Sequence, residues 1–242
     1  MKTKGKKVAH KMSKLFLLVA VFTIASFNNF VTAQVTEVRN VSKFTQVSVS
    51  IAADIILTQG ETQKIEIEGS ADDLKAIDTK VFDNKLSIET NRTFSHINKV
   101  KIYLTVKKLE AFEISGSSKL VADGAVKADT LLLDISGSGS IKFTNLRTSK
   151  IAADISGSGN IHLEGKETCE QQKIEISGSG HVNFLGLACQ EAKVEISGSG
   201  TCKIYAIKKL KVETSGSGNV YYKGNPVIRA ESSGSGKILP VE

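Results

Sequence analysis

The sequence predicts an all-β fold, a parallel β-helix whose coils stack along one axis. A phrase built on Ser-Gly-Ser-Gly recurs seven times between residues 112 and 236, and such repetition is typical of solenoids. Apolar residues alternate with polar ones on both sides of each phrase, which is the period of a β-strand. The composition agrees, because 20 Gly against 2 Pro in 242 residues favours many tight, regular turns.

The repeat itself defines one coil. Its units are 18–21 residues long, and each contains a central glycine. These turn glycines are Gly116, Gly137, Gly157, Gly178, Gly198, Gly216 and Gly234. In most repeats apolar residues stand two and four positions before the glycine and four and six positions after it, so two strands meet at a bend where glycine can adopt a positive φ. A β-propeller is disfavoured because its blades need about 40 residues.

Residues 34–111 carry strand patterns without the phrase, for example at 64–68 and 100–106. Ser70 ahead of residues 71–75 is typical of a helix N-cap. We expect irregular coils at 34–111 that close one end of the solenoid, because an open end exposes unpaired strand edges. About seven regular coils are expected at 112–240, within a single domain over residues 34–242.

The pattern of residues 1–33 predicts a secretory signal peptide. A lysine-rich start precedes an apolar run at 15–25 and a cleavage pattern at 31–33. The run is too short to span a bilayer core of ~30 Å as a helix. We therefore expect an exported protein, periplasmic, at the outer surface or secreted, with no transmembrane segment after the signal is removed.

The net charge of +7 does not indicate nucleic-acid binding. Residues 1–33 hold six lysines and no acid, and removing them leaves 26 basic and 25 acidic residues. A chain that is nearly neutral has no basic stripe to contact a phosphate backbone.

The stretch at residues 50–90 reads SIAADIILTQGETQKIEIEGSADDLKAIDTKVFDNKLSIET and is followed by tandem ISGSG phrases. This combination resembles the GIN domain family, described as head domains of auto-transporter adhesins, over about residues 42–238. The resemblance implies a right-handed β-helix in exported bacterial proteins, with adhesion as the activity and no family active site.

An acidic column stands three positions before the turn glycines. Its members are Glu113, Asp134, Asp154, Glu175, Glu195, Glu213 and Glu231. Stacked carboxylates repel one another, and two arrangements would compensate them. One is a calcium ladder; the other is a row of ion pairs with the basic residues two positions earlier, which are Lys173, Lys193, Lys211 and Arg229. The sequence favours the ion pairs and predicts no metal site and no cofactor.

Two columns of serines flank the turn glycines. They either present a regular hydroxyl array to a glycan or to ice, or bond to their own turn backbones, and the second is the commoner arrangement. No strand-to-helix serine elbow and no focused acid/base cluster is present. The sequence therefore predicts a protein that is not an enzyme.

The three cysteines divide into a pair and a single residue. Cys169 and Cys189 each stand nine positions before a turn glycine, so we expect them to stack on neighbouring coils. A coil spacing of ~4.8 Å lies within the Cα range of a disulfide, although stacked parallel strands are an awkward geometry for that bond. The sequence does not decide between a disulfide and two free thiols at these positions. Cys202 falls in an apolar column and should be a buried thiol.

These patterns predict a binding or adhesion module that presents a repetitive surface to a glycan or a cell-envelope protein. Tyr205 and Tyr221, 16 residues apart, are the candidate sugar-stacking residues. Their other interpretation is that of ordinary outward strand residues. The alternative function is a periplasmic structural or envelope-stress scaffold without a small ligand. The sequence does not decide whether the protein forms an oligomer.

Overall fold

A computed structural model describes residues 34–91 and 100–241. The predicted signal peptide at 1–33 lies outside the described residues. The regular elements in chain order are β1 (Val35–Arg39), β2 (Gln46–Val49), β3 (Ala53–Gln59), β4 (Lys64–Gly69), α1 (Ala71–Ala76), β5 (Ile77–Phe82), β6 (Lys85–Thr90), β7 (Val100–Val106), β8 (Ala111–Gly116), β9 (Lys119–Ala122), β10 (Val126–Gly137), β11 (Ser140–Phe143), β12 (Leu146–Gly157), β13 (Asn160–Glu164), β14 (Cys169–Gly178), β15 (His181–Gly198), β16 (Thr201–Gly216), β17 (Asn219–Lys223), β18 (Val227–Gly234) and β19 (Ile238–Pro240).

The regular part is the parallel β-solenoid that the repeat predicts. Strands that end at a turn glycine pair in parallel with their counterparts above and below, and we call these stacked strands the incoming sheet. Strands that follow the turn stack in the same way into the outgoing sheet. β15 and β16 are long enough to belong to the outgoing sheet of one coil and the incoming sheet of the next.

The turn glycines stack in one continuous row, as the repeat predicts. Seven glycine levels enclose about six full turns, slightly fewer than the seven coils expected. Each full turn of the chain runs from one turn glycine to the next, so seven stacked glycines delimit six turns.

Residues 34–111 form parallel levels and covering strands that lack the repeated turn. β2 and β3 form a further parallel level against β8 and β9, and β6 and β7 form a second level on the far side of β2 and β3. The stacking order therefore departs from the chain order. The sequence did not show this, because alternating residues fit a level equally well wherever the chain inserts it.

Antiparallel strands cover this end of the solenoid. β5 pairs with β6, β4 pairs with β7, and β1 pairs with β4. The short helix α1 links β4 to β5, and the Ser70 hydroxyl accepts a hydrogen bond of 3.1 Å from the Asp73 amide, which agrees with the N-cap that the sequence predicts. The parallel levels are thus protected at one end by strands of opposite direction.

One hydrophobic core runs inside the stack from Phe44 to Val220. Its largest side chains in the regular part, Phe112, Phe143 and Phe184, are almost completely inaccessible to solvent. Among the described residues, no helix is both long and apolar enough to cross a membrane.

The first repeat ends in Ser-Gly-Ser-Ser, and its departure from the pattern has a structural reason. Ser118 replaces the second glycine of the later phrases and is fully buried. Its hydroxyl donates to the carbonyl oxygen of Ile51 and accepts from the amide of Ala53 at 3.1 Å. The serine thus satisfies two backbone groups of the neighbouring level, which glycine could not do.

Candidate binding face

The outward side of the incoming sheet, from β8 to β18, carries the most regular surface of the described chain, and we call it the ladder face. The acidic column lies along its middle, with each carboxylate in register with the next: Glu113, Asp134, Asp154, Glu175, Glu195, Glu213 and Glu231. Serines flank it on one side, and the residues two positions before each acid flank it on the other. Strand geometry produces the columns, because every second side chain points outward.

Ion pairs compensate the upper part of the acidic column, by which we mean its four carboxylates nearest the carboxyl terminus. They join Lys173 to Glu175, Lys193 to Glu195, Lys211 to Glu213, and Arg229 to Glu231. The hydrogen bond from Lys211 lowers the pKa of Glu213, and hydrogen bonds to the glutamates raise the pKa values of Lys173 and Lys193. These pairs are partly exposed, so each contributes little to stability.

Two aspartates at the lower part of the column have no such partner. Leu132 and Ala152 occupy the positions where the upper levels have a lysine or arginine. Partial burial raises the pKa of Asp134, and repulsion from Asp154 and Glu113 adds to the rise. Partial burial and repulsion from Glu175 raise the pKa of Asp154. Carboxyl groups with raised pKa values occur both at functional sites and in structural rows of like charges.

Replacing both aspartates, Asp134→Asn with Asp154→Asn, should stabilise the protein at neutral pH. A raised folded-state pKa means that the native state binds more protons than the unfolded state between the ordinary and raised pKa values. The free energy of unfolding therefore falls as pH rises through that window, and the penalty is full above it. Because solvent screens these charges, removing both carboxylates should raise Tm by about 1–2 °C at pH 7. The increase should be smaller below the pH range between the ordinary and raised pKa values.

Circular dichroism melts across the acid range measure this effect. Glu213→Gln is the matched control of opposite sign, because its pKa is lowered by Lys211, so neutralising it should lower Tm at neutral pH. A lower Tm at pH 7 for the aspartate pair would contradict the assignment of unfavourable burial and repulsion to these two carboxyls.

The hydroxyls of the serine columns are open to solvent. Ser115 is half-buried and the remaining thirteen are exposed. The column before the glycines is Ser115, Ser136, Ser156, Ser177, Ser197, Ser215 and Ser233, and the column after them is Ser117, Ser138, Ser158, Ser179, Ser199, Ser217 and Ser235. Within the described ranges, no hydrogen bond joins these hydroxyls to another protein group. The expected bonding to their own turn backbones does not form, and the array faces outward.

Three shallow depressions follow the ladder face. One of about 400 Å³ lies over Asp134, Asp154 and Leu132. The next, of about 500 Å³, runs between the acidic and serine columns past Glu195 and Ser197. A third, of about 360 Å³, lies on the basic side and is lined by lysines that include Lys150, Lys193 and Lys211. Their linings combine charged and hydroxyl groups with apolar side chains, which include Leu132 and Ala152 in the first depression and Ile196 in the second.

Tyr205 and Tyr221 lie on the outgoing sheet, away from the ladder face. Tyr205 is in register with Lys223, and Tyr221 with Lys203, so the rings occupy diagonal positions on adjacent levels. The Lys223 Nζ lies 5.6 Å from the Tyr205 ring centroid, and the Lys203 Nζ lies 6.0 Å from the Tyr221 centroid. A lysine therefore already lies over each ring, in a cation–π arrangement, and sugar stacking there stays a prediction.

The cysteines lie in the interior. Cys169 and Cys189 are in register on neighbouring strands, as expected, and both are buried thiols. The Gln172 amide donates to the Cys169 Sγ at 3.2 Å, and the Cys189 thiol donates to the Glu191 carbonyl oxygen at 3.2 Å. Cys202 is buried in the core, and burial raises the pKa of its thiol. A disulfide between the first two residues stays a prediction.

Sequence reasoning missed one residue that borders the ladder face and the importance of two that belong to it. Lys85, on β6, forms an ion pair with Glu113 across the intervening strand β2. No local pattern shows that pair, because it depends on the order in which the levels stack. The sequence does show that Asp134 and Asp154 lack a basic neighbour on their own strands, since the residues two positions earlier are apolar.

No group of three or more His, Cys, Asp or Glu side chains within residues 34–91 and 100–241 is arranged to hold a metal ion. The acidic column is a single row, so its members do not converge on one point as calcium ligands do.

The family profile described as "Putative auto-transporter adhesin, head GIN domain" matches residues 43–226. The chain belongs to the GIN domain family. No curated protein matches the sequence significantly.

Solved structures share the architecture of this GIN domain. A "putative adhesin" of Bacteroides fragilis NCTC 9343 superposes with a TM-score of 0.82 at 22% identity, covering 86% of this chain and 97% of that one. A "putative lipid binding protein" of Parabacteroides distasonis ATCC 8503 gives a TM-score of 0.73 at 21% identity, with 86% and 97% covered. A "putative adhesin" of the same organism gives 0.71 at 22% identity, also with 86% and 97% covered. At these identities the likeness establishes the fold.

Proposed function

We propose that the protein is an exported, non-enzymatic adhesion module that binds an extended glycan along the ladder face. The observation that carries this proposal is the outward array of serine hydroxyls without protein partners, beside a continuous row of carboxylates. Two of the three solved relatives described above are named as adhesins, which supports the adhesion part of the proposal.

The chemistry of the ladder face suits a polyhydroxylated ligand. A serine hydroxyl both donates and accepts hydrogen bonds, and a carboxylate accepts them strongly. The coil spacing of ~4.8 Å is close to the length of one sugar residue in an extended chain. A glycan lying along the axis could therefore meet the same pair of groups at each level, and many weak contacts would add to useful affinity.

The lower depression provides the best anchor. Asp134 and Asp154 have no basic partner on their own strands, so their oxygens are available to ligand hydroxyls. Leu132, with 49% of its surface exposed, and Ala152 offer an apolar patch to the face of a sugar ring. Carboxylate accepting groups beside an apolar platform are a usual arrangement for holding a sugar.

The test is glycan-array binding by residues 34–242, followed by titration of the best neutral, extended oligosaccharide. The combined variant Asp134→Asn, Asp154→Asn and Ser156→Ala should weaken binding roughly tenfold or more, because charged acceptors are lost. Asp123→Asn, an exposed aspartate on the loop after β9, is the matched control and should leave affinity unchanged.

Two results would overturn the proposal. Loss of binding with Tyr205→Ala and Tyr221→Ala, but not with the ladder-face variant, would move the site to the outgoing sheet. Release of shortened oligosaccharides during incubation would contradict a non-enzymatic role.

A further inference from the structure

The last level of the solenoid presents an open edge. All eight residues of β18 are exposed, including Ile228 at 39%, although their counterparts one level below include core positions. Within the described chain β18 pairs with β16 on one side and with no strand on the other. This contrasts with the opposite end, where antiparallel strands cover the parallel levels.

The free backbone groups of β18 can be assigned residue by residue. The Ser235 amide donates to the Gly216 carbonyl oxygen of β16, and backbone groups alternate sides along a strand. Arg229 and Glu231 therefore turn their backbone groups toward β16. Ile228, Ala230 and Ser232 turn their N–H and C=O groups toward the free edge.

This edge is complementary to itself. If two copies of β18 pair antiparallel about Ala230, Ala230 meets its counterpart and Ile228 meets Ser232 of the other copy. Those three positions carry the free backbone groups, so the pairing forms six hydrogen bonds. The same register places Arg229 of each copy opposite Glu231 of the other, which gives two charge pairs across the junction.

Neighbouring registers are worse. Centring the pairing on Ser232 places Arg229 and Glu231 opposite uncharged serines. Centring it on Ile228 sets Ala230 opposite Pro226, which has no N–H to donate. Centring it on Arg229 or Glu231 uses backbone groups that are already bonded to β16. The residue types of β18 thus single out one antiparallel pairing.

We propose that β18 is a homodimer interface at which two copies of this chain join edge to edge, antiparallel about Ala230. The inward side chains of both strands then lie on the same side of the joined sheet, so Ile228 of each copy gains cover. A twofold pairing of this kind is closed and does not continue into fibres. The resulting dimer places two ladder faces in one assembly.

Sedimentation velocity of residues 34–242, from micromolar to near-millimolar concentration, tests the interface. Wild type should be a dimer, and Ala230→Pro should be a monomer. That proline removes an N–H at the free edge, not one bonded to β16, so an unchanged circular dichroism melt should show that the fold is retained. Because the readout is mass, its outcome is independent of glycan binding.

A charge exchange identifies the register. Arg229→Glu should raise the dimer dissociation constant roughly tenfold or more, because two attractive pairs become repulsive. Arg229→Glu combined with Glu231→Arg restores opposite charges and should return the dimer to near wild-type affinity. A monomeric wild type, growth into longer assemblies, or failure of the double exchange to rescue would each overturn the proposal.

Discussion

Gly178→Ala is expected to destabilise the protein by about 3–5 kcal/mol, because backbone strain and a steric clash add at this position. Gly178 has a φ of 122°, which favours glycine. A Cβ there would lie 2.6 Å from the carbonyl oxygen of Gly157 on the level below. That oxygen belongs to the stacked turn backbone, so it has little freedom to move. A chain of this size should lose roughly 10 °C or more in Tm.

Gly116→Ala is the matched control for that clash. Its φ of 118° is nearly the same, but nothing lies within 4 Å of an added Cβ, because Gly116 begins the row of glycines. Its loss should therefore be limited to strain, about 1–3 kcal/mol. Denaturant unfolding followed by circular dichroism gives both values. Equal losses at the two positions would show that stacking of the turns contributes nothing to the requirement for glycine.

Phe143→Ala is expected to cost about 3–5 kcal/mol by leaving a cavity in the core. The Phe143 side chain is completely buried, and its strand pairs with strands above and below. Those hydrogen-bonded neighbours keep the backbone in place, so the cavity cannot collapse. The loss should appear as a lower midpoint in denaturant unfolding.

Phe82→Ala makes the same chemical change at a side chain that is 85% exposed, so its effect should stay within about 0.5 kcal/mol. A comparable loss at both positions would mean that the solenoid interior is not packed as the structure shows. Local unfolding of one end would appear as a second transition, since repeat proteins need not unfold as one unit.

None of the four substituted residues contributes an outward side chain to the ladder face, and this separation matters for function. The core and the turn glycines hold the levels in register, while the outward columns are free to vary without loss of fold. Asp134 and Asp154 illustrate this freedom, because partial burial and repulsion from neighbouring carboxylates make their charged forms unfavourable. A function for these carboxylates would explain why lysine does not stand beside them as it does at Glu175, Glu195 and Glu213.

The repeat predicted the regular coils, the row of turn glycines, the acidic column and the stacking of Cys169 on Cys189. Each of these follows from local periodicity, because equivalent residues of consecutive coils must lie one above another. The position of Cys202 in the core follows from the same rule. Sequence reasoning expected the serines to bond to their own turns, but hydroxyl direction depends on turn geometry that a residue pattern does not encode.

The sequence by itself determined which residues point inward and which share a column, because a period of two and a repeat of 18–21 residues fix both. Only the tertiary structure decided the order of the levels at residues 34–111, where β2 lies between β6 and β8 and β3 lies between β7 and β9 in the stack. It therefore also decided the ion pair of Lys85 with Glu113 and the burial of Ser118. These contacts join residues whose distance along the chain says nothing of their distance in space, so no local pattern can predict them.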